Sequence, residues 1–107
     1  MSISDEDIER ALDFLQDNAM EAAQARANRL GLERFRDRLK ALIMKEHLNL
    51  GVTAQEREAY ADPRYQEHID GYKEAVKIDE YHRHMRDTAH DKIEAWRTMS
   101  SNQRAKI

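Results

Sequence analysis

The chain has 107 residues, 36% of them charged and 40% hydrophobic, with three glycines, one proline and no cysteine. So few breakers leave little room for sheet turns, and the length allows one small core, so the expected fold is all-α. Disulfides and thiolate metal sites are excluded, and the expected setting is a reducing cytoplasm: MSISDEDIER is too acidic for a signal peptide, and no apolar run nears the roughly 20 residues of a membrane span.

The first predicted element begins at Ser4, a suitable cap, followed by Asp5, Glu6 and Asp7 at the positive helix end. Ile8, Leu12, Leu15, Ala19 and Ala22 then form one stripe, and alanines crowd residues 19–27, giving a helix with slim sides. From Glu33 to Leu48 the chain is amphipathic and basic at once. Leu32, Phe35, Leu39, Leu42 and Ile43 make the apolar face; Arg34, Arg38 and Lys45 share one flank, and Arg36, Lys40 and His47 share the other. On a helical wheel the two stripes point about 150° apart. A break near Asn28–Gly31 accounts for this, as does one long, bent helix over about 5–49 that buries its halves against different partners; the second is the expectation. Gly51 is the expected stop.

Thr53-Ala-Gln-Glu56 reads as a capping box opening a short helix over about 54–61. Asp62-Pro63 then starts a long helix over about 63–99. Tyr65, Ile69, Tyr72 and Val76 lie on one side of it, and Ile78, Tyr81, Met85, Ala89 and Trp96 on nearly the opposite side. Residues 100–107 form a polar, basic tail. The expectation is a single helical domain over 1–99, made of long helices with a short connecting helix. Two long helices that switch faces halfway suggest two cores, one inside the chain and one between chains, hence an oligomeric helical assembly, a homo-oligomer; the plainer alternative is two simple breaks in a compact monomer.

The net charge of −3 hides an alternation of −6 over residues 1–25, +4 over 26–47, −4 over 48–82 and +3 over 83–107. Such blocks suit local anion binding or head-to-tail association better than a uniform polyanion surface.

Chemistry is sparse. His82 and His84, two apart on a helix, diverge by about 200° and cannot share an ion. Glu80, His84, Asp87 and Asp91 share a face at metal-ligand spacing, but that face lies opposite the apolar stripe and reads as a solvated acidic edge. Nothing resembles a phosphate loop, a nucleophile elbow or a cofactor motif, so no enzyme, metal or cofactor is expected. Nucleic-acid binding has a positive signal. The Arg34–Arg38–Lys45 row has the spacing to follow a phosphate backbone, with Lys40 nearby. On the last helix Arg83, Arg86, His90 and Arg97 share a flank beside Trp96, with Arg104 and Lys106 beyond, and aromatic with arginine suits stacking on single-stranded bases. The plainer reading makes these the solvated flanks of ordinary helices, with Trp96 a core residue. Tyr60, Tyr65, Tyr72 and Tyr81 fit either a partner interface or the edge of a core.

Two segments carry a resemblance. Residues Trp96 to Ala105, WRTMSSNQRA, look like the tail of small helical phage and prophage proteins. The arrangement as a whole, with Leu39-Lys40-Ala41 near the end of the first long helix and Gly51 and capped helices after it, resembles the UvsY family of T-even phage recombination mediators. The sequence departs from the family where Leu42 stands in place of an arginine and where no Tyr-Tyr pair follows. The resemblance implies a ring-like helical oligomer in the bacterial host cytoplasm that binds single-stranded DNA and helps a recombinase displace single-strand-binding protein. Of the family's DNA-contacting element it carries over only Lys40. The expected nucleic-acid-binding set is therefore Arg34, Arg38, Lys40, Lys45, Arg86, Arg97 and Arg104. The competing expectations are an adaptor or inhibitor that binds protein through helix faces, and a structural assembly component.

Overall fold

The computed structural model describes residues 2–106, and every regular element in it is helical. Helix α1 spans Asp5–Asp17, α2 spans Ala19–Met44, a 3-10 turn covers Lys45–His47, α3 spans Val52–Ala61 and α4 spans Pro63–Lys106.

The caps explain most boundaries. Ser4 Oγ accepts the Asp7 N–H at 3.1 Å while Asp7 Oδ2 accepts the Ser4 N–H at 3.0 Å, so the capping box closes from both sides. Asp62 Oδ1 accepts the Arg64 N–H at 2.8 Å with Pro63 at the first helical position, as Asp-Pro dictates. The first long helix is interrupted at Asn18, not near Gly31. There the Asn18 Nδ2 donates to the Phe14 carbonyl at 2.9 Å, a side chain competing with the backbone, while the Ala22 N–H still reaches the Asn18 carbonyl at 3.0 Å. Gly31 lies inside unbroken helix. Gly51 caps the start of α3 in extended backbone, φ −68° and ψ 163°, so Thr53 is inside the helix and is not its cap. Residues 100–106, expected as a tail, continue α4.

The chain divides into two compact units. Unit 1 joins the segment up to Gln24 with the segment from Glu80 onward; unit 2 is Ala25–Asp79. In unit 1 the start of α1 meets the far part of α4: the Trp96 indole N–H donates to Asp5 Oδ1 at 2.9 Å, and Ala11 and Phe14 share a groove with Met85 and Ala89. In unit 2, α2 and the first part of α4 run antiparallel, since Arg29 meets Asp79 at 3.2 Å and Phe35 meets His68 with ring centroids 5.7 Å apart.

Burial follows a heptad within each unit. On α1 and α2 the covered or half-covered residues include Ile8, Ala11, Leu15, Asn18 and Ala22 in unit 1, then Ala25, Arg29, Leu32, Leu39 and Ile43 in unit 2, with Asp7, Phe14, Lys40 and Met44 half-covered beside them and Arg36, at the repeat position between Leu32 and Leu39, exposed. On α4 they include Tyr65, His68, Tyr72, Ala75 and Asp79 in unit 2, then His82, Arg86, Ala89, Ile93, Trp96 and Ser100 in unit 1, with Ile69, Val76, Met85, Thr88 and Met99 half-covered beside them. Most of these fall at the a and d positions of a coiled-coil repeat within each unit. The stripes expected from apolar residues alone do not mark the seam of either unit: Leu12 and Phe35, 52% and 41% exposed, lie off it, whereas the polar Asn18, Arg29, Asp79 and Arg86 lie on it. Both cores are built within one chain.

Among the described residues the buried ones are Ile8, Ala11, Ala22, Ala25, Ile43, Ala59, Ala75 and Ala89, so alanines make most of the closest contacts. The charge blocks are matched inside each unit. Residues 1–24, with seven acids and one base, share unit 1 with 80–107, which carry six bases and four acids. In unit 2 basic α2 meets acids of α4 and α3 through Arg29–Asp79 and Lys40–Glu56, and Arg64 at the start of α4 pairs with Glu46 of the 3-10 turn.

Candidate nucleic-acid interface

Among the expected binding residues, Arg34, Arg38, Lys40 and Lys45 belong to unit 2, and Arg86, Arg97 and Arg104 to unit 1. Arg34 and Arg38 stand one turn apart on the exposed face of α2, and Lys45 continues their row as the first residue of the 3-10 turn. That row lies opposite the buried seam, at the heptad's outermost positions, because Leu32, Leu39 and Ile43 take the inner ones. Among the described residues none of the three has an ion-pair partner.

Lys40 is placed differently. It is half-buried against α3, with its ammonium 4.8 Å from the Tyr60 ring centroid and 3.9 Å from Glu56. Its pKa is raised above the ordinary lysine value, first by the Tyr60 side chain and then by the charge of Glu56. The residue singled out by resemblance thus lies off this row, on the other flank of α2, where it holds α3 to α2. Tyr60 also packs edge-on against Tyr65, centroids 5.3 Å apart, so two of the four tyrosines belong to this local core.

Beside it is a cluster that pattern reading missed. Arg64 donates from Nη1 to Glu46 Oε1 at 3.1 Å and from Nε to Asp62 Oδ1 at 3.0 Å, clamping the 3-10 turn to the start of α4. The Arg64 side chain, then its backbone N–H, holds the Asp62 carboxyl down at about 2; the same guanidinium lowers Glu46, and the two acids raise Arg64. The only sequence signal was an arginine two residues after a capping aspartate; its partner, Glu46, is 18 positions away.

In unit 1, Arg86 is half-buried on the α4 seam, Arg97 pairs with Glu94 at 3.0 Å, and Arg104 is exposed in the last turns of α4. Trp96 is half-covered and hydrogen-bonded to Asp5, so its indole edge serves the packing of α1 rather than standing free for stacking. Among the described residues no group of three His, Asp or Glu is arranged to hold a metal ion, the Glu80–His84–Asp87–Asp91 edge included. No helix among them is long and apolar enough to cross a membrane. Comparison with family models, with curated proteins and with solved structures finds no match for this chain.

Proposed function

We propose that the chain is a non-enzymatic recombination mediator of the phage type, resembling the UvsY family, which binds single-stranded DNA as a homo-oligomer and assists a recombinase against single-strand-binding protein in the host cytoplasm. The observation that carries this reading is the outer face of α2. Arg10, Arg29, Lys40, Arg64 and Arg97 each have an acidic partner, whereas Arg34, Arg38 and Lys45 line up exposed and, among the described residues, without one. Helical cations at this spacing neutralise successive phosphates and release their counterions, which gives affinity without reading bases. Three contacts per chain bind weakly; several chains in one assembly bind the same strand far more tightly by raising the effective concentration of each site.

The test is fluorescence anisotropy of a labelled oligonucleotide across a salt series. Binding at 50 mM salt is expected, with log K falling against log salt at a slope of about −2 for three single-strand contacts per chain. The variant Arg34→Glu/Arg38→Glu/Lys45→Glu is expected to abolish it. Absence of binding at low salt, or a variant that binds like the parent, overturns the proposal. A second reading, a protein-binding adaptor, is favoured by Leu48 and Val52, which are 72% and 66% exposed around the link into α3. It predicts a stable protein complex and no oligonucleotide affinity.

A further inference from the structure

In unit 2 the apolar pattern is wider than a two-helix seam needs. With Arg29 and Ile43 of α2 and Tyr72 and Asp79 of α4 at a, residues Phe35 and Leu42 on α2 and Gly71 and Ile78 on α4 occupy g, flanked in the same row by the polar Asn28 and Arg64 at its ends. In an antiparallel pair the g positions of both helices line one side. Here that side carries Phe35, Leu42 and Ile78, which are 41%, 46% and 45% exposed, and a groove of about 430 Å³ floored by Ala25, Leu32 and Ala75. A Cβ added at Gly71, on the groove wall, meets nothing within 4 Å. A strict a/d stripe serves a two-stranded seam, while a third apolar position per heptad is the pattern of a helix with two helical neighbours.

We propose that this groove is the homodimer interface, two copies laying their g faces together about a two-fold axis parallel to the helices to form a four-helix layer. This supplies a surface for the oligomer proposed above and rests on that reading only for the expectation of self-association. The charges bordering the groove select the occupant and the axis. Just outside the g row lie the c positions, which on α2 include Arg38 and on α4 are Glu67 and Glu74, all exposed. A two-fold parallel to the helices preserves height and sets α2 of one copy beside α4 of the other. Phe35 is level with His68, so Arg38, about one turn further along α2, falls level with the start of α4 and within reach of the partner's Glu67. The contact occurs twice by symmetry. A perpendicular two-fold instead sets basic edge on basic edge and acidic on acidic. Of the phosphate row only Arg38 is shared; Arg34 lies further round the helix and Lys45 about two turns further along it.

Sedimentation equilibrium without nucleic acid tests the interface separately from the DNA reading. At micromolar concentration the parent is expected at twice its 12.6 kDa chain mass or a multiple of that. Ile78→Lys, at a position 45% exposed within the chain, is expected to be monomeric with unchanged helical circular dichroism. Arg38→Glu is expected to weaken the dimer about tenfold through two like-charge contacts, and Arg38→Glu/Glu67→Arg to restore it. A parent that stays at the chain mass, or an Ile78→Lys dimer, overturns the interface. Failure of the double variant to recover overturns the two-fold described here.

Discussion

Among single residues, Asp62 has the clearest electrostatic signature. Its carboxyl has an ordinary value of 3.8 and is held at about 2 in the fold, by the Arg64 side chain first and the Arg64 backbone N–H second. A depressed folded value means that the unfolded chain binds the proton more readily. The resulting stability is therefore complete above the ordinary value and lost as pH falls from about 4 to about 2. Glu46, lowered by the same guanidinium, loses its share in the same direction. Because the cluster is solvent-exposed, its contribution is also screened by salt. Urea midpoints measured between pH 7 and pH 2 are expected to fall less steeply for Asp62→Asn than for the parent. Parallel curves would show that the clamp contributes nothing to folding.

Among the elements, helix existence was legible in the sequence because breakers are rare and because Ser4 and Asp62-Pro63 announce helix starts by a local mechanism. Seam register was not. Four of the residues that lie on it, Asn18, Arg29, Asp79 and Arg86, are polar, and a wheel built from apolar residues passes over them to Leu12, Phe35 and Leu42, which serve the outer sides. Arg29 and Asp79 are tolerated at a positions because they meet across the seam at 3.2 Å, a pairing between residues 50 apart that no local pattern reveals. The candidate site was legible in half: Arg34, Arg38 and Lys45 follow from spacing, but the commitment of Lys40 to Tyr60 and Glu56 depends on where α3 folds back. Gly31 turns this into a prediction. A glycine marking a break would resist replacement, whereas this one lies within α2 with nothing within 4 Å of an added Cβ. Gly31→Ala is therefore expected to raise stability by about 0.5–1 kcal/mol in urea titration, through backbone entropy and helix propensity. A loss would place the break at Gly31 after all.

At the scale of the whole molecule, two units share two helices: α2 passes from one to the other between Gln24 and Ala25, and α4 between Asp79 and Glu80. Each unit has few fully covered residues, most of them alanine, so neither has the core of an independent small domain. Melting one unit removes continuing helix from the other at both crossings and leaves new helix ends with unpaired backbone groups. Unfolding is therefore expected to be one cooperative transition. Ile43 in unit 2 and Trp96 in unit 1 make the test. Ile43 is fully covered, so Ile43→Ala is expected to cost about 2–5 kcal/mol through lost transfer energy and a residual cavity. Trp96 fluorescence reports unit 1, where the indole is bonded to Asp5, and far-ultraviolet circular dichroism reports all helices. In the Ile43→Ala variant both probes are expected to shift to the same lower urea midpoint. If the Trp96 transition holds its parental midpoint while part of the helical signal is lost earlier, the units fold independently and the shared helices transmit no stability between them.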